Sequence, residues 1–142
     1  MSKPQPTIPL QLRLFAILLG VVFLFWLPIE DTSAIAALIF SMVLSAWIAI
    51  AVLIIPNKPF SSPLSNYILA GTLVGIAITP LTLFWMAFKS GLHSHPIPDF
   101  TPQTILSVIE RTPIWLIGSF LIGLGSGILH TYRKAKSQTT SE

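Results

Sequence analysis

His93, His95 and Asp99 are the side chains in this sequence best suited to bind a metal ion. Two imidazoles separated by one residue can reach a single ion from an extended backbone, and a nearby carboxylate adds an oxygen ligand. The functional hypothesis is a metal or porphyrin-type site. We favour the simpler interpretation, a loop whose histidines bond backbone or water, and therefore predict no cofactor.

The same two histidines could respond to pH, because imidazole titrates near neutrality. A pH sensor also needs an element with two alternative states, and the sequence indicates none. Metal binding and pH sensing by the His93/His95 loop therefore remain a third functional class, behind the two given below.

The apolar stretches of the sequence carry no Asp, Glu, Lys or His near their middle. Proton- and ion-coupled transporters normally need ionisable groups there, and intramembrane hydrolysis needs a Ser–His or di-Asp arrangement. The chain also has no cysteine, which excludes thiolate metal sites and cysteine nucleophiles. We therefore predict that the protein is not an enzyme.

The composition is that of a membrane protein. Of 142 residues, 53% are hydrophobic and 9% are charged, and the mean hydropathy is +0.79, whereas a soluble domain carries about 25% charged residues. The net charge of +3 comes from eight Lys and Arg residues that are scattered between apolar runs. This distribution indicates a lipid bilayer as partner and no nucleic acid.

Four apolar segments have the length that a membrane-spanning helix needs. We predict an all-α membrane protein, a single four-helix transmembrane domain over residues 12–131, with helices at 12–27, 33–55, 65–88 and 113–129. Residues 1–11 and the basic tail 132–142 are expected to be disordered. Pro80 should kink the third helix, and Thr79 and Thr82 are placed to satisfy the carbonyls that it frees.

A fifth, short helix is expected in the long third loop. Thr101 is a suitable N-cap and Pro102 a suitable first residue, and Ile105, Leu106, Val108 and Ile109 cover one broad side of a helix over about 102–110. The segment is too short to span a bilayer. The sequence predicts a helix that lies at the membrane surface.

Basic residues predict the orientation. Lys89 and Arg111 fall on one side of a four-helix arrangement, and the other six bases fall opposite. The positive-inside rule then places both termini in the cytoplasm, and the predicted cytoplasmic anchors are Arg13, Lys58, Arg133, Lys134 and Lys136. Trp26, Trp85 and Trp115 fall near the opposite face, as in an interfacial aromatic belt.

Small residues spaced four apart occur on three of the helices. Such spacing permits close approach, which drives helix association in lipid. The predicted packing residues are Ala37, Ser41, Ser45 and Ala49 on the second helix, Gly71 and Gly75 on the third, and Ser119, Gly123 and Gly127 on the fourth. We favour packing within one bundle, with docking on a partner subunit as the alternative. Gly118 and Gly125 lie off the main stripe and favour a partner slightly.

The stretch from Phe88 to Thr101, followed by Arg111-Thr112-Pro113-Ile114-Trp115, resembles uncharacterised small multi-pass membrane proteins of cyanobacterial type. The resemblance implies a plasma (inner) or thylakoid membrane, with a photosynthetic or respiratory complex as neighbour. It transfers no catalytic residue to this chain.

The leading functional hypothesis is a non-enzymatic accessory subunit or assembly factor that packs against a larger membrane complex. The alternative is a small transporter or channel component, which would need a hydrated path lined by hydroxyl side chains, namely Ser41, Ser45, Thr72, Thr79 and Thr82.

Overall fold

The computed structural model describes residues 9–29, 33–54, 62–93 and 99–139, and every regular element in these ranges is a helix. Three stretches are long and apolar enough to cross a membrane: α2, α3, and α4 with α5 taken together. The prediction of an all-helical fold is confirmed. The helices are α1 (Leu10–Trp26), α2 (Ile35–Ile54), α3 (Pro63–His93), α4 (Pro102–Glu110) and α5 (Thr112–Thr139).

The first two helices differ little from the predicted segments. α1 has 17 residues. It is apolar but shorter than the three candidate membrane spans. It begins at Leu10, two residues before the predicted start of the first segment. The predicted end of the second helix at residue 55 lies outside the described residues.

α3 and α5 are longer than predicted. α3 continues five residues beyond Phe88 to His93, because no proline interrupts the chain before Pro96. α5 continues to Thr139, where a disordered tail was expected. The Arg, Lys, Ala and Gln residues of this tail are good helix formers and extend a helix that is already nucleated.

α4 begins and ends where the sequence predicts a helix. The Thr101 side chain accepts a hydrogen bond from the Thr104 backbone N–H at 3.2 Å, and Pro102 follows at the first helical position. α4 is separated from α5 by Arg111 alone. Its location relative to a membrane surface stays a prediction.

α3 is the central helix of the described chain. It packs against α2, α5 and α4, and its last turns also meet Phe23 and Trp26 at the end of α1. α5 is antiparallel to the first part of α3, since Gly127 lies against Leu64 and Gly75 against Leu116. The apolar core lies at the other end of α3, where buried residues of four helices and a loop meet, namely Trp26, Ala37, Phe40, Met86, Phe100 and Val108.

At Gly71, Gly75 and Gly123, the α3–α5 contact is between backbones. A Cβ atom on Gly123 would lie 2.5 Å from the Tyr67 carbonyl oxygen, and one on Gly71 would clash with the Ser119 carbonyl. A Cβ on Gly75 would lie 2.7 Å from the Leu116 Cα. These glycines therefore set the distance between the two helices.

Pro80 lies inside α3, which continues through it without interruption. Thr82 Oγ1 donates to the Ile78 carbonyl at 2.7 Å, and Thr79 Oγ1 bonds to Thr112 Oγ1 at 2.9 Å. Because proline lacks an N–H, the carbonyl it frees is that of Ile76. Neither threonine bonds to it, so the expectation that Thr79 and Thr82 compensate for Pro80 is wrong.

Candidate functional site

A buried lysine is the most unusual feature of the described chain. Lys89, in the last turns of α3, is 0% exposed. Its ammonium nitrogen lies 4.4 Å from the ring centre of Trp26, the sole buried residue of α1. A buried cation costs free energy unless its surroundings compensate for lost water, and an indole face is the best aromatic surface for this.

Aromatic rings from three helices surround this contact. Phe23 lies 4.4 Å from Trp85 and 5.2 Å from Phe40 between ring centres, and Trp26 lies 5.4 Å from Phe40. The cluster joins the last turns of α1 to the start of α2 and the last third of α3. We call these residues, Phe23, Trp26, Phe40, Trp85 and Lys89, the Lys89 cluster.

Two indole N–H groups of the Lys89 cluster are buried without a hydrogen-bond acceptor among the described residues. They belong to Trp26 and Trp85. Trp115, outside the cluster, also has a buried indole N–H without an acceptor among the described residues. By contrast, Trp47 donates its indole N–H to the Leu12 carbonyl at 3.1 Å. The three buried N–H groups do not point out of the described chain toward headgroups, and the aromatic belt stays a prediction.

The sequence interpretation missed the Lys89 cluster because it ended the third helix at Phe88. With Lys89 assigned to a loop, its burial could not be anticipated. The detectable signal was spacing: Trp85 and Met86 precede Lys89 by four and three residues, which places all three on one face of a longer helix.

The predicted metal ligands fall largely outside the described residues. His95 is not described, and only the backbone of His93 is. Asp99 is half-buried. Within the described ranges, no group of three or more His, Asp or Glu side chains could hold a metal ion, so the metal hypothesis stays a prediction.

The hydroxyl groups proposed to line a hydrated path mostly bond to their own helix. Ser41 donates to the Ala37 carbonyl at 2.7 Å, Ser45 to Met42 at 3.1 Å and Thr72 to Ile68 at 2.9 Å. A groove of about 280 Å³ does lie between α2 and α3, but Ser45 and Asn66 are its only polar lining residues. The groove is suited to hydrocarbon rather than to water or ions.

Most of the predicted packing residues of α2 are buried. Ala37 and Ser41 are fully buried, Ser45 is buried and Ala49 is half-buried at the edge of the α2–α3 groove. A small side chain at each of these positions permits close approach.

The predicted cytoplasmic anchors are exposed wherever the structure describes them. Arg13 lies in the first turn of α1, and Arg133, Lys134 and Lys136 lie on the last part of α5. Lys58 is outside the described residues.

A chain of hydroxyl groups joins α3 to the junction between α4 and α5. Thr112 Oγ1 donates to the Ile109 carbonyl at 2.6 Å, and the Thr79 and Thr112 oxygens lie 2.9 Å apart. Because the single Thr112 proton is used for Ile109, Thr79 must donate to Thr112. This is a polar contact between helices.

Replacing Thr79 with valine is expected to lower the free energy of unfolding by about 1 kcal/mol, since interhelical hydrogen bonds in membrane proteins contribute about 0.6 kcal/mol and at most about 1.7. Thr72→Val is the matched control, because Thr72 bonds within its own helix and should cost less. Unfolding by denaturing detergent in mixed micelles measures both. Equal losses for the two variants would contradict the role assigned to Thr79.

The described elements place the chain in a class: an all-helical protein whose long apolar helices are compatible with a membrane environment. Comparison of the chain with protein-family models, curated proteins and solved structures finds no match. The Lys89 cluster brings residues of three helices together and contains two buried indole N–H groups without an acceptor among the described residues.

Proposed function

We propose that this chain is a non-enzymatic integral membrane protein, an accessory subunit or assembly factor that packs against a larger membrane complex. It crosses the bilayer with α1, α2, α3 and α5, and both termini lie in the cytoplasm. The host bilayer is a plasma (inner) or thylakoid membrane. The 17 residues of α1 reach the lower limit for a spanning helix, which is about 17 residues.

The exposure of α1 carries this proposal. Trp26 alone of its 17 residues is buried, and large apolar side chains away from the half-buried side of α1 are exposed, such as Leu14, Ile17, Leu18 and Leu24. Because lipid is as apolar as leucine, a helix in a bilayer is held by packing and hydrogen bonds. Within the chain, the close packing of α1 is concentrated in its last turns, around Phe23 and Trp26, and Trp47 donates one hydrogen bond to Leu12. A neighbouring subunit would cover the sides that stay exposed.

Transport is a weaker explanation of the same features. Four of the five hydroxyl groups that would line a hydrated path bond to backbone carbonyls of their own helices, and the α2–α3 groove is apolar. Lys89, the one ionisable side chain buried in the described chain, is covered by Trp26. These observations favour association over transport.

Affinity purification in mild detergent tests the proposal. We expect other membrane subunits to be recovered with the protein in fixed ratio. Gly20 lies on α1 with open space where a Cβ would be, so Gly20→Leu should weaken recovery by crowding the partner while leaving the chain folded.

Gly91→Leu is the matched control, because Gly91 also faces open space but lies near the end of α3. It should leave the recovered subunits unchanged. Purification of the protein alone, under conditions that keep other membrane complexes intact, would overturn the accessory role. If Gly20→Leu and Gly91→Leu reduced the recovery of other subunits equally, α1 would not be the docking element.

A further inference from the structure

α5 presents a second face that its contact with α3 leaves uncovered. Ser119, Gly123 and Gly127 point toward α3. A helix turns about 100° per residue, so the opposite side of α5 carries a different set, which we call the outer face: Ile114, Gly118, Leu121, Gly125 and Ile128. All three of its large side chains are exposed, and a Cβ on either glycine would meet nothing within 4 Å.

The outer face has a regular spacing that lipid contact does not require. Gly118 and Gly125 are seven residues apart, and so are Ile114, Leu121 and Ile128. A repeat of seven with alternating steps of three and four is the pattern of two helices packed side by side over their length. Small residues in one set let the backbones approach.

Two charged residues immediately precede α5, at the end of the outer face that begins with Ile114, and indicate the occupant. Glu110 and Arg111 form the junction between α4 and α5, both are exposed, and neither forms an ion pair with another described residue. Arg111 precedes Gly118 by seven residues, in step with the repeat. Glu110 ends α4 and Arg111 is the single residue before α5. A two-fold axis parallel to α5 brings the two junctions to the same depth, where each Glu110 can meet the other copy's Arg111.

We propose that the outer face of α5 binds a second copy of this chain, forming a parallel two-fold dimer closed by reciprocal Glu110–Arg111 pairs. The glycines permit close approach, and Leu121 and Ile128 fill the contact. This interface is separate from α1, which stays uncovered, so the dimer goes beyond the accessory role and does not depend on it.

Cysteine cross-linking in native membranes tests the dimer cleanly, since the chain contains no cysteine. Under mild oxidation, Leu121→Cys and Ile128→Cys should form disulfide-linked dimers in high yield. Phe120→Cys is the matched control, because Phe120 is also exposed but lies on the flank of α5. Equal yields at Leu121 and Phe120 would indicate random collision and overturn the proposal, as would no dimer at any outer-face position.

A charge exchange in the Leu121→Cys background separates a second copy from another partner. Glu110→Arg alone gives each junction two positive charges and should reduce cross-linking to the Phe120 control level. The double variant Glu110→Arg with Arg111→Glu again offers opposite charges at one depth, and cross-linking should return. Failure of the double variant to recover, or no loss in the single variant, would overturn the reciprocal pairing.

Gly118→Val tests the close approach without disturbing the fold. Because a Cβ at Gly118 meets nothing in its own chain, helical content and solubility in detergent should match those of the parent. Cross-linking at Leu121 should fall to the Phe120 level. Unchanged cross-linking in this correctly folded variant would contradict the proposed packing.

Discussion

Replacing Gly123 with alanine is expected to loosen the α3–α5 pair and lower the free energy of unfolding. The new Cβ would lie 2.5 Å from the Tyr67 carbonyl oxygen and 3.1 Å from the Gly71 Cα. Both obstacles are backbone, so the helices must move apart rather than a side chain rotate. A gap of about 0.5–1 Å forfeits roughly a quarter to a half of the dispersion energy of each affected contact, along the whole line of close approach.

The matched control is Gly125→Ala, two residues along the same helix. A Cβ there meets nothing within 4 Å, and alanine is favoured over glycine in a helix by about 1 kcal/mol. The two variants therefore gain the same helix propensity and differ in packing alone. Overpacking costs about 1–3 kcal/mol in water-soluble cores, so the Gly123 variant should be less stable than the parent and the Gly125 variant equal or more stable.

Unfolding by denaturing detergent, at dilutions where the protein is monomeric, measures the two free energies. The sign of each change is the readout. A Gly123→Ala variant as stable as Gly125→Ala would show that the α3–α5 distance is not set at Gly123. Gly71→Ala provides an independent repeat on the facing helix, where the obstacle is the Ser119 carbonyl.

The sequence predicts the helical character of this chain well because apolar length alone decides it. A run such as Ile35–Ile54 has no charged residue, and in lipid every backbone group must be bonded within its own helix. α4 was predictable for a different reason, since Thr101 and Pro102 are strong start signals. Both kinds of signal are local.

Helix ends without such signals were predicted less well. Hydrophobicity places the end of the third segment at Phe88, yet the backbone continues as helix to His93. A helix can continue beyond the hydrophobic segment that contains it, because Lys, Ser and Leu are all compatible with helical backbone. The same difference extends α5 to Thr139.

The Lys89 cluster could not be predicted because it depends on contacts between distant helices. Nothing in the sequence near Lys89 specifies that Trp26, 63 positions earlier in the chain, covers its ammonium group. The two faces of α5 were partly predictable. Spacing places Gly118 and Gly125 on a different face from Ser119, Gly123 and Gly127, but it does not show which face meets α3.

Replacing Trp26 with leucine is expected to release the last turns of α1 from the rest of the chain. Trp26 is 7% exposed and is the single buried residue of its helix. It contributes the ring beneath the Lys89 ammonium and a face against Phe40. A desolvated cation–π contact contributes about 2 kcal/mol or more, so losing it should lower the free energy of unfolding by at least about that amount.

Phe25→Leu is the matched control, because it makes the same aromatic-to-leucine change one position earlier. Phe25 is 73% exposed and exchanges one apolar surface for another against lipid, so its cost should be close to zero. The comparison removes any general effect of aromatic loss on α1. Comparable destabilisation by Phe25→Leu and Trp26→Leu would argue against a specific role for Trp26.

A double-mutant cycle assigns the Trp26 effect to its contact with Lys89. Lys89→Met keeps an unbranched apolar side chain and removes the charge, but Lys89 makes other interactions as well, so the single variant mixes several losses. The cycle cancels these and leaves the coupling between the two residues. We expect a coupling free energy of about 2 kcal/mol. A value near zero would mean that Trp26 holds α1 by shape alone, and that the charge of Lys89 is compensated by its other interactions.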